Sequence, residues 1–168
     1  MTAAILLLAF VTLERLAELA LARRNTAALL ARGALEFAPG HYPLIVALHA
    51  AWLAGLWWLG RDQPLHEGWL ALFALLQIAR VWVLVTLGRR WTTRIIVLPG
   101  APLVRRGPYR FLSHPNYAVV VGEIAVLPLA LELPLYALAF SILNAAVLAV
   151  RIRAEQAALE RNARARDA

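Results

Sequence analysis

Five stretches of this chain, Thr2–Ala22, Tyr42–Gly60, Gly68–Leu87, Pro115–Leu131 and Pro134–Ile152, are apolar over lengths at or near those needed to cross a lipid bilayer. A spanning helix takes roughly 20 apolar residues, with a range of about 17–25. Inside lipid only helices and closed barrels satisfy the backbone, and uninterrupted apolar runs select the helix. The last two segments are somewhat short, and only Glu132 and Leu133 separate them, so a tight helical hairpin is expected. The predicted fold class is all-α: a polytopic integral membrane protein of about five transmembrane helices with a C-terminal helical hairpin, organised as a single domain over residues 1–168. A composition of 62% hydrophobic and 16% charged residues argues against a soluble globule. The first segment has no basic region before it and is interrupted by Glu14, Arg15 and Glu18, so it is read as a helix of the mature protein and not as a signal peptide.

The net charge of +7 comes from 17 basic residues, all of them arginine. They gather at the ends of apolar segments, where membrane topology accounts for them, so a nucleic-acid partner is not expected. Fourteen fall on one set of ends and connections, Arg61 stands alone on the other, and Arg15 and Arg80 lie inside helices. The positive-inside rule then places the N-terminus outside, the C-terminus in the cytoplasm, and the stretch from Gly88 to His114 on the cytoplasmic face. There are no cysteines, and His41, His49, His66 and His114 show no short metal-ligand spacing. Neither thiol chemistry nor a metal site is expected.

Ionisable groups in lipid are costly and tend to face a bundle interior or a wet cavity. With this topology Glu14, Glu18, His49, Arg80, Glu123, Asn144 and Arg151 all fall in the cytoplasmic half of the bilayer. One reading is that opposite charges pair to hold helices together, which suits Glu14, Arg15 and Glu18. The other, which the shared depth of the whole set favours, is a polar cavity open to the cytoplasm.

The most informative stretch is Arg106–Glu123, RGPYRFLSHPNYAVVVGE. Gly107 and Pro108 make a turn, and Ser113 or His114 can cap a helix whose first residue is Pro115, where a missing amide hydrogen costs nothing. Capping does not explain why Tyr109, Arg110, His114, Asn116 and Tyr117 crowd around the same helix start, a place suited to an anionic group of a ligand.

At these residues the chain resembles the isoprenylcysteine carboxyl methyltransferase family, integral membrane enzymes that use S-adenosylmethionine, and more broadly the phospholipid methyltransferases. One block is Gly107-Pro108-Tyr109 followed by His114-Pro115-Asn116-Tyr117. The other is Arg151-Ile152-Arg153-Ala154-Glu155 after a helical hairpin. The first half is similar to a bacterial subgroup associated with type III polyketide synthases, whose members methylate the hydroxyl of long-chain alkylpyrones or alkylresorcinols. It carries this likeness through Arg15-Leu16-Ala17-Glu18-Leu19, Ala22-Arg23-Arg24-Asn25, Gly33-Ala34-Leu35-Glu36 and His41-Tyr42-Pro43. Ser113, Val119 and Gln156 depart from the wider family pattern and point away from a prenylcysteine acceptor.

The resemblance implies a bacterial inner (plasma) membrane enzyme with S-adenosylmethionine as cofactor, bound within about residues 88–160. It implies that His114, Pro115, Tyr117 and Glu155 line the cofactor site, with Tyr109, Arg110 and Arg151 close by. A glutamate and an arginine on one surface suit the amino-acid end of that cofactor. No Gly-x-Gly occurs in the chain, so the pocket must come from helices and the Gly88–His114 loop, not from a soluble nucleotide-binding fold.

Methyl transfer from a sulfonium needs no protein nucleophile. A carboxylate acceptor needs only an arginine to orient it, whereas a phenol, with a free pKa of about 10, benefits from a base. Glu123, Glu14, Glu18, His49 and His114 are candidates for that base, and Arg80 completes the candidate catalytic set. The expected partners are membrane lipids and a lipophilic small molecule from the bilayer, entering sideways between helices, with a functional link to a type III polyketide synthase. The alternatives are a phospholipid N-methyltransferase, a prenylcysteine carboxyl methyltransferase, or a non-enzymatic small transporter or subunit.

Overall fold

The computed structural model describes residues 2–167; the side chains of His41 and of residues 161–167, which include Arg161, Arg164 and Arg166 of the topology count, lie outside the described residues. Five α-helices run α1 (Ala3–Leu30), α2 (Tyr42–Gly60), α3 (Glu67–Leu87), α4 (Pro115–Ala130) and α5 (Pro134–Asp167). The protein is an all-α integral membrane protein, turned inside out relative to a soluble one. Trp58 and Leu135 are each 81% exposed on the outside, while Glu123 and Arg80 are 2% and 5% exposed within.

Among the described residues three helices are long and apolar enough to cross a membrane, those starting at Tyr42, Glu67 and Pro134. Of the five spans expected, α1 carries its charges in mid-helix and α4 has only 16 residues, about 24 Å of rise. Two boundaries also need correction. The first segment does not stop at Ala22 but continues to Leu30, and the fifth is not short, because it passes Ile152 without a break. Arg23 and Arg24 in α1, and Arg153, Glu155 and Gln156 in α5, end the apolar run but are good helix formers, so the helix outlasts its hydropathy.

The ends are pinned by specific contacts. Thr2 caps α1 by accepting from the Ile5 amide at 3.3 Å, and its hydroxyl donates to the Arg61 carbonyl at 2.8 Å, tying the start of α1 to the α2–α3 connection. The expected hairpin of α4 and α5 is present. Its turn closes through Glu132, whose φ of 56° is left-handed, with the Leu133 amide donating to the Pro128 carbonyl at 2.9 Å, a Schellman-type ending that hands over to Pro134 as the first residue of α5. Early in α5, Tyr136 fills the notch left by Gly55, where a Cβ would collide with the tyrosine oxygen, and donates to the Trp52 carbonyl at 2.9 Å.

One feature lies outside the all-α expectation. Strand β1 (Leu35–Phe37) pairs antiparallel with β2 (Ile95–Val97), Glu36 opposite Ile96. Ile95 and Val97 bury against Ala158 of α5. The Gly88–His114 stretch is held to α1 by Asn25, whose amide donates to the carbonyls of Gly88 and Trp91 at 3.1 and 2.8 Å. This small sheet and the Asn25 clamp draw the loop over one end of the bundle.

Candidate functional site

Arg80 reaches from α3 to carboxylates on two other helices. Its Nε and Nη2 donate to both oxygens of Glu18, the second at 2.6 Å, and its Nη1 donates to Glu123. Arg15 donates to Glu123 at 2.8 Å and to Glu18 at 3.0 Å, and Gln77 donates to the other Glu123 oxygen at 2.9 Å. Glu14 stands 3.9 Å from Arg80, and its Oε2 is buried without a hydrogen-bond partner. Pairing and cavity, posed as alternatives from sequence, therefore coexist: the charges neutralise one another across α1, α3 and α4, and Arg15, Glu18, Arg80 and Glu123 also line a hollow. Gln77 and Arg15 were missed as site residues. Gln77 has a legible signal, being three residues before Arg80 on the same face of an apolar helix.

A second cluster forms at the start of α4. The Tyr117 hydroxyl donates to Glu155 and accepts from Arg151 Nε at 2.9 Å. Arg151 and Glu155 are one helical turn apart on α5, and Tyr117 joins them. Pro115 is the first residue of α4, as expected, but the expected cap is absent: His114 occupies the capping position without a side-chain cap bond. Its ring instead stacks on Tyr117, centroids 5.1 Å apart, with Nδ1 3.8 Å from Glu155.

The turn Gly107–Arg110 sets Tyr109 beneath this cluster. Gly107 has a φ of 57° and a Cβ there would meet Thr86 Oγ1 at 2.5 Å, so both backbone and space require glycine. Tyr109 packs with Ala22, Val83 and Trp91. Burial, and then the negative charge of Glu155, push its phenol up to about 12, which keeps it protonated near neutral pH. Arg110 is exposed.

The two clusters open onto one cavity of about 330 Å³, enclosed by all five helices and by Trp91, Thr92 and Thr93 of the covering loop. Tyr117 and Arg151 line one part, Arg15, Glu18, Arg80 and Glu123 another, and His49, the buried Asn144, Asn116, Tyr42 and Thr12 add to the polar surface. Of the residues expected at a cofactor site, Tyr109, Arg110, His114, Pro115 and Glu155 stand outside this lining. His114 and Glu155 touch it only through Tyr117. Apolar side chains close the remainder, and among them Leu16 of α1 and Val46 of α2 are 57% and 41% exposed on the lipid-facing side.

Fold and site together define a membrane-embedded helical protein whose polar chemistry lies in a cavity between its helices, covered at one end by an arginine-rich loop. Residues 69–161 match the isoprenylcysteine carboxyl methyltransferase (ICMT) family. The chain belongs to that family, and so to the membrane methyltransferases. It is 43% identical over 161 residues to "Uncharacterized protein YpbQ" of Bacillus subtilis (strain 168), an alignment covering 92% of this chain and 95% of that one. It is 26% identical over 151 residues to an "Uncharacterized protein" of Haemophilus influenzae (strain ATCC 51907 / DSM 11121 / KW20 / Rd), covering 86% and 88% of the two chains. No solved structure matches.

Proposed function

We propose that this protein transfers a methyl group from S-adenosylmethionine to the hydroxyl of a lipophilic acceptor of the alkylresorcinol or alkylpyrone type. The observation that carries this reading is the single cavity joining the Tyr117–Arg151 pair to a charged network buried in the membrane, with an apolar flank exposed to lipid between α1 and α2.

The residues fit such a cofactor. Among the described residues Arg151 has no carboxylate within 4.0 Å, and the buried Nε1 atoms of Trp52 and Trp91, two cavity residues, lack partners. Arg151 is therefore free to bind the cofactor's carboxylate, while Glu155, outside the lining, acts through Tyr117, which fixes the two side chains relative to each other. When bound, the cofactor supplies an electrophilic methyl group on its sulfonium. The chain's share of the work is to hold the acceptor oxygen in line and keep water out, and alignment of this kind can account for much of the barrier reduction. With Arg151 given to the cofactor and Arg15 and Arg80 committed to carboxylates, no guanidinium among the described residues of the cavity lining is left for a carboxylate acceptor, which favours a neutral hydroxyl. The alkyl chain passes between Leu16 and Val46 into lipid. An acceptor of this class is the product of a type III polyketide synthase, the functional partner this reading implies.

Membranes containing the protein are expected to move labelled methyl from S-adenosylmethionine onto a long-chain alkylresorcinol. A short-chain analogue should react poorly, since each methylene lost forfeits about 0.8 kcal/mol of burial. Label appearing on phosphatidylethanolamine or prenylcysteine, and never on the phenolic lipid, would overturn the acceptor assignment.

The arginine asymmetry and the bacterial relatives support a plasma membrane location with the covering loop and C-terminus cytoplasmic and the N-terminus outside. Reporters fused after Ala168 and within the Arg61–Glu67 connection should label opposite sides; labelling on one side would defeat this orientation.

A further inference from the structure

Among the described residues seven titratable side chains other than His49 face the cavity: Arg15 and Glu18 from α1, Tyr42 from α2, Arg80 from α3, Tyr117 and Glu123 from α4, and Arg151 from α5. The two carboxylates among them have no free oxygen. Glu18 accepts from Arg80 and Arg15 through its two oxygens, and Glu123 accepts from Arg15 and Arg80 on one and from Gln77 on the other. Tyr117 is held between Glu155 and Arg151, and Tyr42 shares a hydrogen bond with Thr93 at 3.1 Å.

His49 differs. Its Nδ1 lies 2.8 Å from the Ile45 carbonyl oxygen one turn back on α2. A carbonyl has no proton to give, so Nδ1 carries the hydrogen and donates. In the neutral ring this leaves Nε2 as the lone-pair nitrogen, and among the described residues Nε2 has no hydrogen-bond partner, on a side chain that lines the cavity. A ring held in one tautomer by its own backbone, with the basic nitrogen open to a ligand, is arranged to accept a proton.

We propose that His49 is the general base of this site, taking the proton from a weakly acidic hydroxyl acceptor through Nε2. This rests on the methyl-transfer reading above and narrows it to acceptors that must lose a proton. In the step, the O–H proton passes to Nε2, the acceptor oxygen forms a bond to the methyl carbon, and the carbon–sulfur bond breaks with its electron pair returning to sulfur. The sulfonium becomes a neutral thioether, and the imidazolium then releases its proton to water.

The test uses the full chain in lipid nanodiscs. Asparagine at this position retains an N–H near the place of Nδ1 and lacks Nε2, so His49→Asn keeps the tether to Ile45 and deletes the base. The wild-type rate with a long-chain alkylresorcinol should rise with pH, one proton per molecule, to a plateau above the histidine range. His49→Asn should lose that limb and fall roughly 10²–10⁴-fold near neutral pH. A dinitro-substituted alkylphenol, already ionised at neutral pH, should restore the variant to within a few-fold of wild type with the same acceptor. Nitrogen NMR of labelled His49 should show Nδ1 protonated and Nε2 bare.

A wild-type pH limb that survives in His49→Asn, or a loss that the ionised acceptor does not repair, would overturn the base assignment while leaving the methyltransferase reading intact. The opposite tautomer by NMR would also overturn it, whatever the variant's folding. Binding of S-adenosylhomocysteine by wild type with no transfer to any hydroxyl lipid would remove the acceptor class and the base together.

Discussion

Arg80→Met is expected to cost about 3–5 kcal/mol of stability, a large share of the roughly 5–15 kcal/mol that holds an ordinary protein folded. The reason is the company Arg80 keeps, not the charge it carries. It is 5% exposed and bonds both oxygens of Glu18 and one of Glu123, so its removal strands two carboxylates inside the bundle with only Arg15 between them. Breaking a buried pair from one side is far worse than replacing the pair, because the orphaned charge keeps its desolvation cost. Arg80→Met combined with Glu18→Leu should therefore recover part of the loss, and the double-mutant cycle should show a coupling of about 0.5–3 kcal/mol. Thermal unfolding in detergent checks both. A single variant as stable as wild type would mean that the network contributes nothing to the fold.

The second large effect is expected at the other end of the cavity. Arg151→Ala should weaken S-adenosylmethionine binding by about 1–3 kcal/mol, roughly 5–150-fold, because it removes a charged hydrogen-bonding partner of the cofactor's carboxylate, and Glu155→Ala should weaken it by releasing the Tyr117 hydroxyl that orients Arg151. His114→Ala should act more weakly and indirectly, since its ring touches the cavity only through the stacked Tyr117. Tyr117→Phe deletes the hydroxyl that accepts from Arg151 and donates to Glu155. Its effect should therefore fail to add to that of Glu155→Ala. Calorimetry on folded variants decides the matter; unchanged affinity in Arg151→Ala and Glu155→Ala with melting intact would remove this pair from the cofactor site.

Much of this architecture could be read from the chain alone because lipid imposes a simple rule: every buried backbone group must pair within its own helix. Apolar runs therefore marked the starts of α2, α4 and α5 closely, and two residues between Leu131 and Pro134 could only be a hairpin turn. Hydropathy misjudged the two helices that leave the apolar layer, since α1 past Ala22 and α5 past Ile152 are rich in helix-forming residues that are not apolar. The pairing of Leu35–Phe37 with Ile95–Val97 was not legible either. Three-residue strands some sixty positions apart carry no periodicity, and their partners exist only once α1 and α5 have brought them together.

For the candidate site, sequence by itself determined the inventory: which ionisable residues sit within apolar helices, and that a histidine–proline helix start and an Arg–Glu helix turn lie at one end of the bundle. These follow from composition and from spacing along a helix, which are properties of neighbours in the chain. Only the tertiary structure decided which of these groups are spent and which are free. Glu18 and Glu123, equal to His49 as candidate bases on sequence, are saturated by Arg15, Arg80 and Gln77 arriving from α1 and α3, whereas His49 is tied on one nitrogen and open on the other. A residue's remaining hydrogen-bonding capacity depends on partners distant in sequence, so it is fixed by packing and cannot be counted along the chain.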